Sequence, residues 1–337
     1  MAERTDPEAR AVKAFAWRWQ QALIGLAVGA ALLALTMRRA PVADILDSLR
    51  ALDLGWAAIA FLAYAVDLGI RVIRWRILFL KVAPLPVATF ARALIVGYGL
   101  NILLPARLGE LARVEYLKLH TETRRSAAIP AILIERAMDG VLVLSALIAG
   151  LAVAHRSGAG SPVLVGLIGA GALMVALVIA APLLIARVPA WLELRLPSRI
   201  RESLGRASAA VTTMDPRTLV RAGLITFAVY LAEAAAIAAV LLGLGASPAP
   251  GLLLTVLGAA SLSTLLPTAP GFIGSYQLAY ALVFELFGQS PVLGAAAATA
   301  VQVVLFTPVV VLALILALAP HRKRRGKGEP ARPEEAR

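Results

Sequence analysis

Long apolar runs separated by short charged segments make up most of this chain. A helix needs about 20 apolar residues to cross the hydrocarbon core of a bilayer, and six of the runs have about that length. These six predicted spans cover residues 20–37, 56–78, 127–153, 163–186, 219–242 and 293–318. The pattern predicts an all-α polytopic membrane protein with one transmembrane domain at 20–320, between a charged N-terminal segment at 1–19 and a basic tail at 321–337.

Two further apolar segments, 92–119 and 251–288, are interrupted near their centres by polar residues, proline and glycine. Each half is about 12–18 residues long, which is short for a span, so we interpret both as re-entrant helical hairpins. The breaks share the pattern LLPxxxG, at residues 103–109 and 265–271. Three predicted spans separate them, so the hairpins enter from opposite faces of the membrane. Such an inverted repeat of interrupted helices is typical of a transporter's binding site.

Basic residues are distributed very unevenly over this topology. Of the 33 Lys and Arg residues, 27 lie in segments on the side of the N-terminus and 4 in segments on the other side. Because basic loops remain in the cytoplasm, we expect both termini to be cytoplasmic. Arg38 and Arg39 are the discordant pair. The same bias accounts for the net charge of +13, so no nucleic-acid partner is expected.

The composition is that of a membrane protein and excludes several kinds of site. Hydrophobic residues make up 60% of the chain and charged residues 16%, with a mean hydropathy of +0.82, which is too apolar for a soluble domain. Cysteine is absent, so disulfides, thiolate metal sites and cysteine nucleophiles are excluded. The three histidines lie far apart without ligand spacing, so we expect no metal site and no cofactor.

Charged residues inside the first hairpin need a partner or a purpose, because a charge at the centre of a membrane helix costs about 2.5–3.5 kcal/mol. Arg107, Glu110 and Arg113 are spaced to share one helical face, and Asn101 precedes the turn. They form either an ion ladder that neutralises itself or a site for a lipid phosphate, with an arginine binding the headgroup.

The second span ends with four charged residues, the last of which, Arg76, lies near the interface. Asp67 and Arg71 are spaced for a pair within one helix, and Arg74 follows almost one turn later. Arg74 either extends to the cytoplasmic headgroups or contributes a cationic wall to the first hairpin.

The third and fifth predicted spans also contain charged residues. Glu135 and Asp139 share a face, with Arg136 beside them, which is unfavourable unless an arginine from elsewhere bridges the carboxylates or one is protonated. The alternatives are a structural salt bridge to an arginine of the first hairpin, and proton coupling by the same carboxylates. Glu233 has no evident cation nearby, so we expect a protonated or cavity-facing acid.

The turn of the second hairpin combines flexible backbone with the start of a returning helix. Gly271 and Gly274 permit close backbone approach, Pro270 precedes them, and Gln277 lies in the first turn of the returning arm. Free N–H groups at that helix N-terminus would favour an anion. A simple packing turn is the alternative.

Four motifs resemble those of a known family: RVIRWR at 71–76, NILLPARLGE at 101–110 with Arg113, ERAMDG at 135–140, and PGFIG at 270–274. At these residues, and over about 20–320, the sequence resembles the flippase-like family typified by the transmembrane domain of lysylphosphatidylglycerol synthase. The resemblance implies translocation of phospholipids or other lipid-linked headgroups between leaflets, with two re-entrant helices meeting near the middle of the membrane.

The sequence departs from that family in two respects. The last motif usually reads PGGxGxxE, whereas Phe272 replaces the second glycine here and Gln277 replaces the acid. Gln277 can form hydrogen bonds but carries no charge, so the resemblance does not imply a function that needs a carboxylate at this position. No soluble aminoacyl-transfer domain follows the transmembrane domain, so the resemblance does not imply that catalysis.

These observations favour a non-enzymatic lipid transporter of the bacterial inner membrane. Its expected ligands are membrane lipids, namely an anionic phospholipid or a polyprenyl-phosphate-linked lipid, and a homo-oligomer remains open. One alternative is a membrane-embedded transferase acting on a lipid-linked substrate, although the sequence has neither a DxD pair nor a histidine cluster. Another is a non-transporting partner of an envelope-lipid biosynthetic complex.

Overall fold

The structure, a computed structural model, describes residues 23–79, 85–104, 109–121, 125–156, 215–266 and 268–318. The regular elements in these ranges are all helical, which confirms the prediction of an all-α polytopic protein. The helices are α1 (Leu23–Met37), α2 (Val42–Arg50), α3 (Leu54–Phe79), α4 (Val87–Leu103), α5 (Gly109–His120), α6 (Arg125–Arg156), α7 (Pro216–Gly243), α8 (Pro250–Ser263), α9 (Ser275–Leu286), α10 (Pro291–Val301) and α11 (Thr307–Leu318).

Four helical segments are long and apolar enough to cross a membrane. They are Leu54–Phe79, Ala131–Ala154, Arg217–Gly243 and Pro291–Leu318. Each coincides with one of the predicted spans. The last contains α10 and α11, which are joined by a π-helical turn at Gln302–Phe306. The span predicted at 163–186 lies outside the described residues.

The span predicted at 20–37 corresponds to α1, which is followed by a sharp bend. The axes of α1 and α2 differ by 80°, and together the two helices are a candidate fifth span. The short helix α2 was not predicted. It has Asp44 in its first turn and Arg50 in its last, which suits the helix dipole, and none of its residues is buried. An exposed amphipathic helix perpendicular to a span suits the membrane interface.

One member of the discordant pair has a partner in this region. The Arg39 Nε atom lies 3.3 Å from the Glu285 carboxylate at the end of α9, and both side chains are partly exposed.

The first predicted hairpin consists of α4 and α5, which run antiparallel. Asn101 Oδ1 accepts a hydrogen bond of 2.8 Å from the Gly109 N–H, and further along Gly97 lies against Arg113. The contacts thus move back along α4 as the chain advances along α5. The two backbones touch, since a Cβ atom on Gly109 would lie 1.8 Å from the Gly97 carbonyl oxygen. Residues 105–108 of the turn lie outside the described residues.

The second predicted hairpin consists of α8, a 3₁₀ turn at Pro270–Phe272, and α9. Gly251 at the start of α8 lies against the ring of Phe287 just after α9, so these arms are also antiparallel. The arms of both hairpins have 12–17 residues. At 1.5 Å per residue, each is at most about 25 Å long, which is shorter than the hydrocarbon core.

The two hairpins enter the helical bundle from opposite ends. The start of α4 is beside the end of α3, where the rings of Phe90 and Trp75 lie 5.3 Å apart. Ala128, near the start of α6, belongs to the same cluster of buried residues. By contrast, the start of α8 is beside the end of α6, where Gly251 contacts Val153. The packing therefore confirms two oppositely inserted hairpins.

Opposite insertion predicts opposite labelling of the two hairpins. The chain is naturally free of cysteine, so single-cysteine variants need no background mutations. We expect a membrane-impermeant maleimide to label Leu119→Cys, at the end of α5, from the cytoplasmic side and Ser290→Cys, after α9, from the other side. The measurement compares maleimide labelling in right-side-out and inside-out membrane vesicles. Detergent-treated vesicles, in which the reagent reaches both sides, are the control. Labelling of both variants from one side would contradict the arrangement.

Candidate functional site

A cavity of about 270 Å³ lies where the tips of the two hairpins meet. The first hairpin contributes Tyr98, Asn101 and Ile102 to its wall, and the second contributes the end of α8 together with Phe272 and Tyr276. The remaining lining residues come from α3, α6, α7 and the π-helical turn. They are Tyr64, Arg71, Arg136, Asp139, Gly140, Val143, Leu144, Tyr230, Glu233 and Phe306.

Arg71 is the charged residue that faces the cavity from α3. Its Nε atom donates to the Asp67 carboxylate at 2.8 Å, four residues earlier on the same helix. Its Nη2 atom donates to Glu233 Oε2 at 2.6 Å, from α7. The guanidinium also lies 5.8 Å from the centre of the Tyr98 ring and 5.7 Å from that of Tyr230. Two carboxylates and two aromatic rings therefore hold this cation at the cavity wall.

A second group of charges is buried behind that wall. Arg74 lies between α3 and α6, where Nη1 is 2.5 Å from Asp139 Oδ1 and Nη2 is 3.1 Å from Glu135 Oε1. Arg113 of the first hairpin binds the other Glu135 oxygen at 2.9 Å, and its guanidinium lies 4.1 Å from the Trp75 ring centre. Both arginine side chains are 0% exposed. This network joins the first hairpin to α6 and α3, and Arg74 Nη1 also donates to Thr226 Oγ1 of α7 at 3.0 Å.

Arg136 connects the buried network to the cavity and to the first hairpin. Its Nη2 atom donates to Glu135 at 3.0 Å, and its Nε atom lies 3.3 Å from Glu110 at the start of α5. Its side chain is 29% exposed, against 0% for Arg74 and Arg113. Among the arginines of the described residues, Arg71 and Arg136 are the ones that line the cavity.

Several expected partners are present. The Asp67–Arg71 pair within α3 is confirmed, as is the structural salt bridge from Glu135 to the first hairpin, through Arg113. Arg74 bridges Glu135 and Asp139, which relieves the repulsion between carboxylates on one face of α6. Arg74 is therefore buried rather than extended to the headgroups. Arg107, the other arginine of the first hairpin, lies outside the described residues.

The expectation for Glu233 was partly wrong. Glu233 does line the cavity, but it has a cation, because Arg71 reaches it from another helix. The two residues are 162 positions apart in the sequence, so spacing along α7 contained no sign of the pair.

The second hairpin contributes the aromatic side chains of Phe272 and Tyr276 to the cavity. The Gly274 N–H donates to Gln277 Oε1 at 2.8 Å, so this N–H group already has an acceptor. The anion site expected at the start of the returning helix stays a prediction. Gln277 is buried, and Pro270, Gly271 and Gly274 are not among the lining residues. They shape the turn that carries Phe272 and Tyr276.

Sequence reasoning missed the tyrosines of the site. Four of the six tyrosines in the chain line the cavity, namely Tyr64, Tyr98, Tyr230 and Tyr276. Tyr64, Tyr98 and Tyr230 lie well inside apolar helices, and Tyr276 lies at the start of α9 within an apolar segment. Tyrosine is enriched at the membrane interface instead, so these positions were an available signal. Gln302, a polar residue in the last predicted span, was also missed.

Comparison with known proteins gives one family. The family model described as the lysylphosphatidylglycerol synthase transmembrane region matches residues 22–313. No curated protein and no solved structure gives a significant match to the chain.

Proposed function

The chain belongs to the family of the lysylphosphatidylglycerol synthase transmembrane region, and from this premise we propose that it is a lipid transporter. It moves an anionic phospholipid, or another lipid with a phosphate-linked headgroup, between the leaflets of the bacterial inner membrane. The lipid leaves chemically unchanged, so the protein is not an enzyme. Both termini are in the cytoplasm.

One observation carries this proposal: a cavity lined by charges and tyrosines lies between two oppositely inserted hairpins of a membrane protein. Charges inside a bilayer are costly and usually mark the path of a substrate or ion. Sites of this kind, near the middle of the membrane at the interface of inverted elements, are typical of transporters. The bundle thus provides a polar path for a headgroup while the acyl chains remain in lipid.

The proposal assigns different roles to the arginines. Arg71 and Arg136 line the cavity and bind the phosphate, since guanidinium groups form strong, bidentate hydrogen bonds with phosphate oxygens. Arg74 and Arg113 are fully buried, form ion pairs with carboxylates and hold the helices in place.

Glu233 is the group that the lipid phosphate replaces. It shares Arg71 with Asp67, but its side chain is 21% exposed, whereas that of Asp67 is 0% exposed. An incoming phosphate can therefore take the position of the Glu233 carboxylate while Asp67 continues to orient the guanidinium. When the headgroup leaves, Glu233 returns to Arg71 Nη2, while Asp67 stays on Nε.

We expect Arg71→Ala to reduce lipid flux about tenfold, because the phosphate loses one of its two charged donors in the cavity. Arg71→Lys should retain part of the activity, since it keeps the charge but not the paired donors. The measurement is the bleaching of fluorescent anionic phospholipid in proteoliposomes by a reductant that cannot cross the membrane, with mass spectrometry to verify that the lipid is unchanged.

The matched control is Arg50→Ala, which removes an arginine from the exposed helix α2. It should transport at the wild-type rate. Each variant must first elute as a folded species on gel filtration, because Arg71→Ala leaves Asp67 and Glu233 without their cation. Wild-type flux from folded Arg71→Ala protein would overturn the proposal, as would wild-type protein that accelerates no lipid.

A further inference from the structure

The turn of the second hairpin is held by two glutamines whose side chains point at each other. We propose that Gln277 and Gln302 form an amide relay that positions this turn, and with it Phe272 and Tyr276, against the cavity. Both are positioning residues, because neither lines the cavity itself. The inference deepens the proposed transport function and rests on it only where flux is measured.

The relay consists of three hydrogen bonds in a row. The Gly274 N–H donates to Gln277 Oε1 at 2.8 Å, Gln277 Nε2 donates to Gln302 Oε1 at 2.6 Å, and Gln302 Nε2 donates to the Gly271 carbonyl at 2.8 Å. Gln277 Nε2 also lies 3.5 Å from the Thr299 hydroxyl. The relay begins and ends on the backbone of the same turn, so it closes a loop around residues 271–274.

That turn has a backbone that needs support. Gly271 has a φ of 74°, Phe272 of 60° and Gly274 of 93°. Positive φ suits glycine but is strained for phenylalanine, and such conformations persist only where the surrounding structure determines them. In the residues that the structure describes, Phe272 is the one non-glycine residue with positive φ. The relay binds the backbone on both sides of it.

The relay also connects the turn to the last span. Gln302 begins the π-helical turn at Gln302–Phe306, and such turns occur frequently at functional sites. Phe306, at the other end of this turn, lies 6.3 Å from the Phe272 ring centre and 5.6 Å from that of Tyr276. All three rings line the cavity. The π-helical turn therefore contacts the second hairpin at two places, through the Gln302 amide and through the Phe306 ring.

The direction of the bonds explains why both side chains are amides. Each must accept one hydrogen bond and donate another, which a primary amide does with its adjacent oxygen and nitrogen. An ionised carboxylate only accepts. The acid that the family motif usually carries at position 277 would accept from Gly274 but, when ionised, would not donate to Gln302. Gln277 and Gln302 are thus matched to each other.

The relay predicts a pH-dependent effect when either glutamine is replaced by glutamate, which has nearly the same size as glutamine. In Gln302→Glu, the ionised acid faces the Gly271 carbonyl without a donor, so the turn is released. At low pH the neutral acid has an O–H group and restores the bond. Gln277→Glu should behave in the same way toward Gln302. Gln289→Glu, which makes the same chemical change just after α9, is the matched control.

Cysteine labelling reads the position of the turn without any transport assay. Ser261 lines the cavity, and the chain has no cysteine, so a Ser261→Cys parent reports access to the cavity. At pH 8 we expect Gln302→Glu to raise the rate of thiol labelling about tenfold relative to this parent. At pH 5 the labelling rate of Gln302→Glu should be within about twofold of the parent's rate. Gln289→Glu should change the labelling rate at neither pH.

The ratio to the parent at each pH removes the titration of the thiol itself and of other groups. The partners that the relay contacts, Gly271, Gly274 and Thr299, are uncharged. Glu233, the carboxylate on the α7 side of the cavity, is common to variant and parent.

Every outcome decides the proposal. Equal labelling of parent and Gln302→Glu at both pH values would overturn it, and so would an increase that persists at pH 5. If Gln302→Glu does not fold at pH 8, the relay requires that it fold at pH 5, and failure at both counts against it. Absent flux from all proteins, together with acid-reversible labelling, would refute transport and support the relay.

Discussion

The Arg74→Met substitution is expected to lower the free energy of unfolding by about 3–5 kcal/mol, the range for breaking a buried ion pair by removing one partner. The Arg74 side chain is fully buried and binds both Glu135 and Asp139. Methionine has a similar length, so the change creates little empty space. It instead leaves two carboxylates of α6 on one face, with less positive charge between them. Equilibrium unfolding in mixed detergent micelles measures the loss.

Two comparisons separate charge from packing in this prediction. Arg50→Met, on the exposed surface of α2, should change the free energy of unfolding by less than about 0.5 kcal/mol. The double variant Arg74→Met with Asp139→Leu should lose less than the sum of its two single variants, because it removes both members of the shortest pair. An Arg74→Met protein as stable as Arg50→Met would contradict a network that holds the helices together.

The sequence predicts the helices of this fold well, since its signals are local. An apolar run of sufficient length must cross the bilayer as a helix, because no other backbone partner exists there. The same rule locates the hairpins, where proline, glycine and polar residues interrupt a run that is too short on either side. Helix α2 escaped prediction because it has only nine residues and too few apolar positions to resemble a span.

The candidate site is only partly predictable, because its contacts join distant positions. Charged residues within one apolar helix could be recognised from the sequence, and the pair Asp67–Arg71 was predicted from their spacing of four residues. Glu233 was predicted to have no nearby cation, because its partner Arg71 comes from a different helix and the spacing along one helix cannot reveal it. The relay from Gln277 to Gln302 likewise depends on how α9 packs against the last span. Charge in a membrane helix thus indicates that a partner exists without identifying it.

The Gly109→Ala substitution is expected to destabilise the protein by about 3 kcal/mol, at the upper end of the range for overpacking. An added Cβ atom would lie 1.8 Å from the Gly97 carbonyl oxygen and 2.7 Å from Asn101 Oδ1. The first of these is backbone, so the arms of the first hairpin must separate. Their separation breaks the Asn101–Gly109 hydrogen bond and moves Arg113 away from Glu135. Unfolding in mixed micelles measures the destabilisation, and flux in proteoliposomes should fall with it.

Gly223→Ala is the control for this prediction, because it makes the same chemical change at a helical glycine with open space around it. No atom lies within 4 Å of the Cβ position at Gly223 in α7. Alanine there should stabilise the protein by about 0.5–1 kcal/mol, through its higher helix propensity. The two alanines should therefore have effects of opposite sign. If Gly109→Ala were as stable as Gly223→Ala, the arms would not be in backbone contact, and Arg113 would lack the close hairpin that carries it to Glu135.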